Sequence, residues 1–169
     1  MTNIFTIGYE GIELGAFLDS LHDAGVELVI DVRELPLSRR KGFSKTLLAA
    51  TLERAGIGYT HERKLGAPKP IRHELRKTGD YKKYFRRFNA YLQTQRDTLK
   101  QLVNACSDTS VVLMCFEMNA AECHRSVVAR ELGKIAGLDP IHLQVRGGAH
   151  HGRLPETSRL HTGQGIPAA

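Results

Sequence analysis

Two hydrophobic patterns alternate along the chain. In one, apolar residues follow each other in short runs, and in the other they recur every three or four positions, as on one face of a helix. The helical pattern is clear at Leu14, Phe17, Leu18 and Leu21, and it stops near Gly25. The short apolar runs predict five strands, at residues 3–8, 27–32, 57–61, 111–116 and 141–145.

The predicted strands and helices follow each other in turn, an order that is typical of parallel sheets. The run at residues 27–32 (ELVIDV) is apolar without alternation, as expected for a strand that is buried on both faces. We therefore predict an α/β fold, a single three-layer domain with a mostly parallel five-stranded sheet and helices on both faces. The carboxyl ends of such strands meet at one edge of the sheet, where ligands bind.

The segment between the third and fourth predicted strands is basic and rich in aromatic residues. Apolar positions such as Tyr84, Phe88, Leu92 and Leu99 recur at helical spacing, which predicts one long helix. The same spacing predicts that the aromatic rings face the core and that the cations lie on the outer face. We therefore do not expect these rings to stack on bases.

Length and composition fit one soluble domain of 169 residues, of which 41% are hydrophobic and 25% charged. The domain is expected to span residues 1–145, and residues 146–169, rich in Gly, His and Pro, are expected to form a flexible tail. No apolar run approaches membrane-spanning length, so no membrane association is expected. Three cysteines, an odd number, and an N-terminus without a secretory pattern favour a cytoplasmic location.

The net charge of +6 is unevenly distributed. Residues 61–90 hold ten Lys and Arg against three acidic residues. Such a basic segment favours anionic partners, either a small molecule or a nucleic acid. A solvated surface with good solubility is an equally suitable explanation.

The stretch from Val111 to Gly137 is the most informative part of the chain. Its predicted strand leads into a polar loop, and Cys123, His124 and Arg125 then begin a helical pattern. Backbone amides at a helix start favour an anion, and an arginine there adds charge. Because thiols, carboxylates and an imidazole are concentrated in this stretch, we predict that the functional site lies at this loop.

Other candidate residues follow the remaining predicted strands. Tyr9 comes after the first strand, Asp31 and Arg33 end the second, and His61 ends the third. A charged strand end is a candidate site, although a salt bridge that only stabilises the fold explains it equally well. Three consecutive cations, residues 39–41, follow the second strand.

Four segments resemble the domain-of-unknown-function 488 (DUF488) family, and together they span about residues 1–145. They are TIGYEG at Thr6–Gly11, DVRELPLSRRKGFSK at Asp31–Lys45, Tyr59–Glu62 followed by Leu65-Gly66, and CFEMNAAECHRSVVA at Cys115–Ala129. The resemblance implies a compact cytosolic α/β protein, and it implies no particular activity.

A more distant resemblance is to rhodanese-like domains and the cysteine phosphatases. In those proteins, an anion pocket is formed by an Asp-Val-Arg strand end and by a cysteine loop that leads into an Arg-Ser helix. Here the strand end is similar to Asp31–Arg33, and the loop and helix are similar to Cys115 with Arg125-Ser126. The resemblance implies a thiolate whose pKa is lowered by a ring of amides. Here nine residues separate Cys115 from Arg125, which is longer than the tight loop of that family, and Cys123 adds a second thiol.

The first hypothesis is an enzyme that acts on an anionic substrate, such as a nucleotide or nucleic acid. Arginines and helix amides would bind phosphate, carboxylates or an imidazole would transfer protons, and a thiol would be available for covalent chemistry. A cysteine in a buried strand, such as Cys115, also packs simply as a small apolar residue. The catalytic candidates are Cys123, Cys115, Glu117 and His61, and the substrate-binding candidates are Arg125, Arg33, Asp31, Tyr9, Arg39, Arg40 and His124.

Two alternatives remain open. In the first, the protein is a non-catalytic nucleic-acid-binding or adaptor module that uses the basic surface of residues 63–87. In the second, Cys115, Cys123 and His124, with His61, bind a metal ion. The spacing Cys-x7-Cys-His is not a regular zinc spacing, and adjacent Cys123 and His124 are expected to point in different directions on a helix. We therefore expect no metal and no cofactor.

Overall fold

The computed structural model describes residues 2–145, which form an α/β domain built on one five-stranded sheet. The strands are β1 (Ile4–Gly8), β2 (Leu28–Asp31), β3 (Gly58–His61), β4 (Val111–Cys115) and β5 (Ile141–His142). The α-helices are α1 (Leu14–Asp23), α2 (Lys45–Arg54), α3 (Lys69–Thr78), α4 (Tyr81–Gln93), α5 (Arg96–Cys106) and α6 (His124–Ala136). The predicted tail, residues 146–169, lies outside the described residues.

All neighbouring strands are parallel, in the order β3-β2-β4-β1-β5. The register aligns the strand ends, because Gly8 is opposite Cys115 and Asp31 is opposite both Met114 and His61. This confirms the prediction that the carboxyl ends of the first four strands meet at one edge of the sheet. Among residues 2–145, no helix is long and apolar enough to cross a membrane.

The sheet separates two hydrophobic cores. Alternate strand residues such as Ile30 and Leu113 pack with α3 to α6 on one face, and Val29, Val112 and Met114 pack with α1 and α2 on the other. All five of these side chains are fully buried. Burial on both faces explains why the central strands are apolar without alternation. The three-layer arrangement with helices on both faces is therefore confirmed.

The prediction of one long helix between β3 and β4 is wrong, because three helices occupy this segment. Gly79, with φ of +66°, ends α3 in the left-handed conformation that favours glycine. The Asp80 side chain then accepts a hydrogen bond from the backbone N–H of Lys83 and caps α4. The prediction that the aromatic residues face the core is confirmed for Tyr84 and Phe88, which are 5% and 0% exposed, and is wrong for Tyr81, which is 40% exposed.

Candidate functional site

A cavity of about 560 Å³ lies at the edge where the strand carboxyl ends meet. The segments that follow β1, β2 and β4 line it, together with part of α3 and the start of α6. Of the predicted site residues, seven line the cavity: Tyr9, Arg33, Arg39, Arg40, Cys115, Glu117 and His124. The structure thus brings together residues from three separate segments of the chain.

Two thiols, an imidazole and a carboxylate form a cluster at this cavity. The thiols of Cys115 and Cys123 both donate hydrogen bonds to Oε2 of Glu117, with Sγ to Oε2 distances of 3.2 and 3.1 Å. Nδ1 of His124 lies 3.9 Å from Sγ of Cys115 and 4.0 Å from Sγ of Cys123. The two sulfurs and a ring nitrogen all lie within 4.8 Å of one another, so these three residues could hold a metal ion.

The orientation of the His124 ring is determined by its other nitrogen. Nε2 lies 2.8 Å from the backbone carbonyl oxygen of Val32, which can only accept, so Nε2 carries the proton and donates. In the neutral ring, Nδ1 therefore presents a lone pair towards the two sulfurs. The ring also packs edge-on against Phe88, with centroids 5.1 Å apart, and the side chain is buried.

The backbone around Cys123 explains why adjacent residues converge on one point. Cys123 is extended, with φ of −121° and ψ of 137°, and it caps α6, whose first residue is His124. Because only His124 has helical geometry, the two side chains do not follow the angular spacing of a helix. The expectation that Cys123 and His124 point in different directions is therefore wrong.

Burial and hydrogen bonds together set the pKa values of the cluster. Burial raises the pKa of Cys123 well above its usual range, and the neighbouring Cys115 raises it further. Burial also acts to raise the pKa of Glu117, but hydrogen bonds, led by the one from Cys123, outweigh it and hold that pKa below its usual range. At neutral pH the cluster therefore holds a carboxylate and a protonated Cys123.

Arg125 binds the loop between β4 and α6. Its guanidinium donates to the backbone oxygens of Glu117 and Met118, the latter at 3.1 Å, and its Nε donates to Oγ1 of Thr6 at 3.3 Å. The side chain is 1% exposed and is not part of the cavity lining. Gly8 completes this contact, because a Cβ added to it would lie 1.9 Å from the Glu117 carbonyl oxygen. Arg125 and Gly8 therefore position Glu117.

Arg33, which lines the cavity, belongs to a buried ion pair. Arg33 makes a bidentate contact with Asp31, with distances of 2.8 Å from Nε and 2.6 Å from Nη2. Its Nη1 donates to the Tyr9 hydroxyl and to the Phe43 carbonyl oxygen, both at 2.8 Å. Tyr59 also donates to Oδ2 of Asp31, at 2.7 Å. Four of the five N–H groups of the Arg33 guanidinium are therefore hydrogen-bonded within the protein.

The remaining predicted residues differ in their surroundings. Nε2 of His61 lies 2.8 Å from the Arg33 carbonyl oxygen, outside the cavity lining and apart from the thiol cluster. Arg40 donates from Nε and Nη2 to the Ile12 carbonyl oxygen, at 3.1 and 2.7 Å. Arg39 is exposed at the cavity and makes no ion pair within residues 2–145.

Two cavity arginines on α3 were missed by sequence reasoning. Arg72 pairs with Glu34, whereas Arg76 is exposed and makes no ion pair within the described chain. Their spacing of four residues places them on the same side of a helix, and this was the feature of the sequence that could have identified them as a pair. The distance in sequence between α3 and the strand ends gave no reason to connect them with the cavity.

The fold and the cluster define a class of protein: a parallel α/β domain with a thiol, imidazole and carboxylate cluster in a cavity at the strand carboxyl ends. Residues 13–132 match the family described as Domain of unknown function DUF488. The chain therefore belongs to this family, as the four sequence segments indicated. No match is found among curated proteins or among solved structures.

Proposed function

We propose that this protein is an enzyme that acts on an anionic, phosphate-containing substrate, such as a nucleotide or nucleic acid, in the cavity. The observation that carries the proposal is that one cavity presents both a reactive cluster and unpaired cations. Cys115, Glu117 and His124 lie on one side, and Arg39 and Arg76 are exposed on the lining. Five arginines and three glutamates line the cavity, which gives it an excess of positive charge.

The cations of the cavity have different tasks in this proposal. Arg33 and Arg72 are paired with Asp31 and Glu34, so their charge is already balanced within the protein. Arg39 and Arg76 make no such pair within residues 2–145 and are the groups that bind the anion. Guanidinium groups suit phosphate because they donate two parallel hydrogen bonds to it.

The cluster supplies the groups for chemistry. Glu117 is ionised at neutral pH because its pKa is lowered by the hydrogen bonds that outweigh its burial, so it is the proton acceptor. His124 and the two thiols lie beside it. Arg125 acts as a positioning residue, since it binds the backbone of Glu117 and does not line the cavity.

The alternative is a non-catalytic nucleic-acid-binding module that uses the basic surface of residues 63–87. One observation favours it: several cations of this surface are exposed and make no ion pair within the described residues, including Lys64, Lys77, Lys82 and Arg86. By contrast, Lys83 and Arg87 both pair with Glu74. Phosphate contacts of this kind give affinity without sequence specificity.

Two double variants of equal charge separate the proposals. Binding of inorganic phosphate, nucleoside monophosphates and a single-stranded oligonucleotide is measured by calorimetry. If the cavity binds the anion, Arg39→Ala with Arg76→Ala weakens binding about 100-fold, at about tenfold for each lost charged hydrogen bond. Because Arg76 also belongs to the basic surface of residues 63–87, Arg39→Ala alone is measured too and weakens binding about tenfold. Lys82→Ala with Arg86→Ala leaves it unchanged. The reverse result favours the alternative, and equal binding by both variants overturns the cavity proposal.

Conversion of the bound ligand tests catalysis itself. The best ligand is incubated with the wild-type protein, and its products are followed by mass spectrometry. Glu117→Gln keeps the size of the side chain but removes the proton acceptor, so we expect it to bind the ligand and to lose turnover. A wild-type protein that binds the ligand without converting it would contradict the assignment as an enzyme.

A further inference from the structure

We infer that Cys115, Cys123, His124 and Glu117 form a tetrahedral binding site for a zinc ion at the cavity. This inference deepens the proposed function, and it rests on that function only in taking the cavity as the place of reaction. Metal binding itself needs no anionic substrate, so the two proposals can fail independently.

The donor set suits zinc. Two thiols, one imidazole and one carboxylate are the ligand types that zinc takes in proteins, whereas magnesium and calcium take oxygen ligands. In addition, Cys115, Cys123 and His124 are only 5%, 0% and 3% exposed. A cluster of three buried ligands and one half-buried carboxylate is therefore selective for a thiophilic ion with few ligands.

Four of the distances between the donor atoms are close to those of a tetrahedron around zinc. With bonds of about 2.3 Å to sulfur and about 2.0–2.1 Å to nitrogen or oxygen, neighbouring ligand atoms lie about 3.3–3.8 Å apart. Here the sulfurs lie 3.1 and 3.2 Å from the Glu117 oxygen and 3.9 and 4.0 Å from the His124 nitrogen. Side-chain movements of less than about 1 Å convert these contacts into metal bonds.

The surroundings of the donor atoms provide independent support. A histidine that binds a metal usually donates its other ring N–H to a backbone carbonyl or a carboxylate, which fixes the tautomer. His124 does this through Nε2 and Val32, and its Nδ1 faces the sulfurs. The backbone N–H of Arg125 points to Sγ of Cys123 at 3.5 Å, and the Arg125 side chain holds the Glu117 loop. These contacts orient the ligand atoms before any metal arrives.

The four ligands do not have equal freedom. Cys123 and His124 are fixed at the start of α6, and Cys115 ends a central strand. Glu117 lies on the loop and lines the cavity. We therefore assign Cys115, Cys123 and His124 as the permanent ligands and Glu117 as the ligand that a substrate oxygen displaces, since catalytic zinc sites keep one exchangeable position. The two thiols release their protons when the metal binds.

The test is a metal titration of the full chain after removal of bound metals. Zn²⁺ affinity and stoichiometry are measured by competition with a chelator, and Co²⁺ is used as a spectroscopic probe of thiolate ligation. We expect one ion per chain and sulfur-to-cobalt charge-transfer absorption. Cys115→Ser and Cys123→Ser should each weaken Zn²⁺ binding at least about 100-fold, more than loss of an outer contact does.

Cys106 provides a matched control. It is also a buried cysteine, 1% exposed, but it lies at the end of α5 and belongs to no ligand cluster within the described residues. Cys106→Ser should leave the affinity and the cobalt spectrum unchanged. Glu117→Gln should keep one ion per chain with a weaker affinity, because the three permanent ligands remain.

X-ray absorption on the zinc-loaded wild-type protein keeps the proposal testable if the serine variants do not fold. We expect two sulfur and two lighter ligands around zinc. A coordination shell without sulfur, as from histidines in residues 146–169, would overturn the proposal. So would unchanged affinity in folded Cys115→Ser and Cys123→Ser, or a wild-type protein that does not bind zinc. If metal binding fails but Arg39 and Arg76 still bind phosphate, the proposed function survives.

Discussion

Replacing Asp31 by asparagine tests the buried ion pair that Asp31 forms with Arg33, a residue of the cavity lining. Asp31 is fully buried and accepts two bonds from the Arg33 guanidinium and one from Tyr59. Asparagine keeps the shape but removes the charge, so Arg33, which is 5% exposed, becomes a buried cation without a counter-ion. Breaking one partner of such a pair costs about 3–5 kcal/mol of unfolding free energy.

The size of this effect sets the assay. A domain of this size has a urea m-value of about 2 kcal/mol/M, so a loss of about 4 kcal/mol of unfolding free energy lowers the midpoint of unfolding by about 2 M urea. Arg33→Met should be similarly destabilising, because it leaves the Asp31 carboxylate buried. Asp19→Asn is the control, since Asp19 is exposed and makes no ion pair within residues 2–145, and it should change stability by less than about 0.5 kcal/mol.

The double variant Asp31→Asn with Arg33→Met distinguishes a charge pair from two independent contacts. Because neither remaining group is charged, the double variant should be destabilised by clearly less than the sum of the two single variants. We expect a coupling energy of about 2–3 kcal/mol, in the upper range for residues in direct contact. Additive single effects, or a loss below about 1 kcal/mol for Asp31→Asn, would refute the argument.

Two further predictions concern the position and charge of Glu117. Gly8→Ala places a Cβ 1.9 Å from the Glu117 carbonyl oxygen and should lower both thermal stability and zinc affinity, whereas Gly15→Ala, an exposed helical position with no atom within 4 Å, should not lower either. The pKa of Glu117 is lower in the folded protein than in the unfolded chain. The ionised carboxylate therefore contributes its full stabilisation at a pH above the unfolded pKa, and this stabilisation is lost as the pH falls through the folded pKa. Urea unfolding of metal-free protein should therefore show a steeper loss of stability on acidification for the wild type than for Glu117→Gln, and parallel curves would contradict this assignment.

The architecture followed from sequence because the hydrophobic pattern depends on burial alone. A strand buried on both faces has to be apolar throughout, so residues 27–32 and 111–116 were predicted as strands, although their order in the sheet was not. The division of the long helical segment was less visible, because helical spacing continues on both sides of Gly79 and Asp80. There a glycine in the left-handed conformation and a capping carboxylate decide the outcome. A local backbone conformation of this kind is only weakly encoded in periodicity.

A cavity lies at the edge of the sheet where the site was predicted, but the pairing of the charged residues around it was not predictable from sequence. Sequence shows that Arg125 and Arg33 lie at a helix start and a strand end, and both positions suit an anion site. It does not show that the Arg125 guanidinium donates to the carbonyl oxygens of Glu117 and Met118. Nor does it show that the Arg33 guanidinium pairs with Asp31. Those partners depend on three-dimensional contacts.

The conformation of Cys123 connects the two proposals. Spacing rules for metal sites assume that the ligands lie on regular elements, where adjacent side chains diverge. In this protein the strand-like geometry of Cys123 and the helical geometry of His124 direct both side chains to one point, and Arg125 holds the loop that carries Glu117. Cys123 and His124 thus supply two of the proposed zinc ligands, and the next residue, Arg125, holds in place a further ligand, Glu117. Since Cys115, Glu117 and His124 also line the cavity that Arg39 and Arg76 share, a metal bound there would face the anion that these arginines attract.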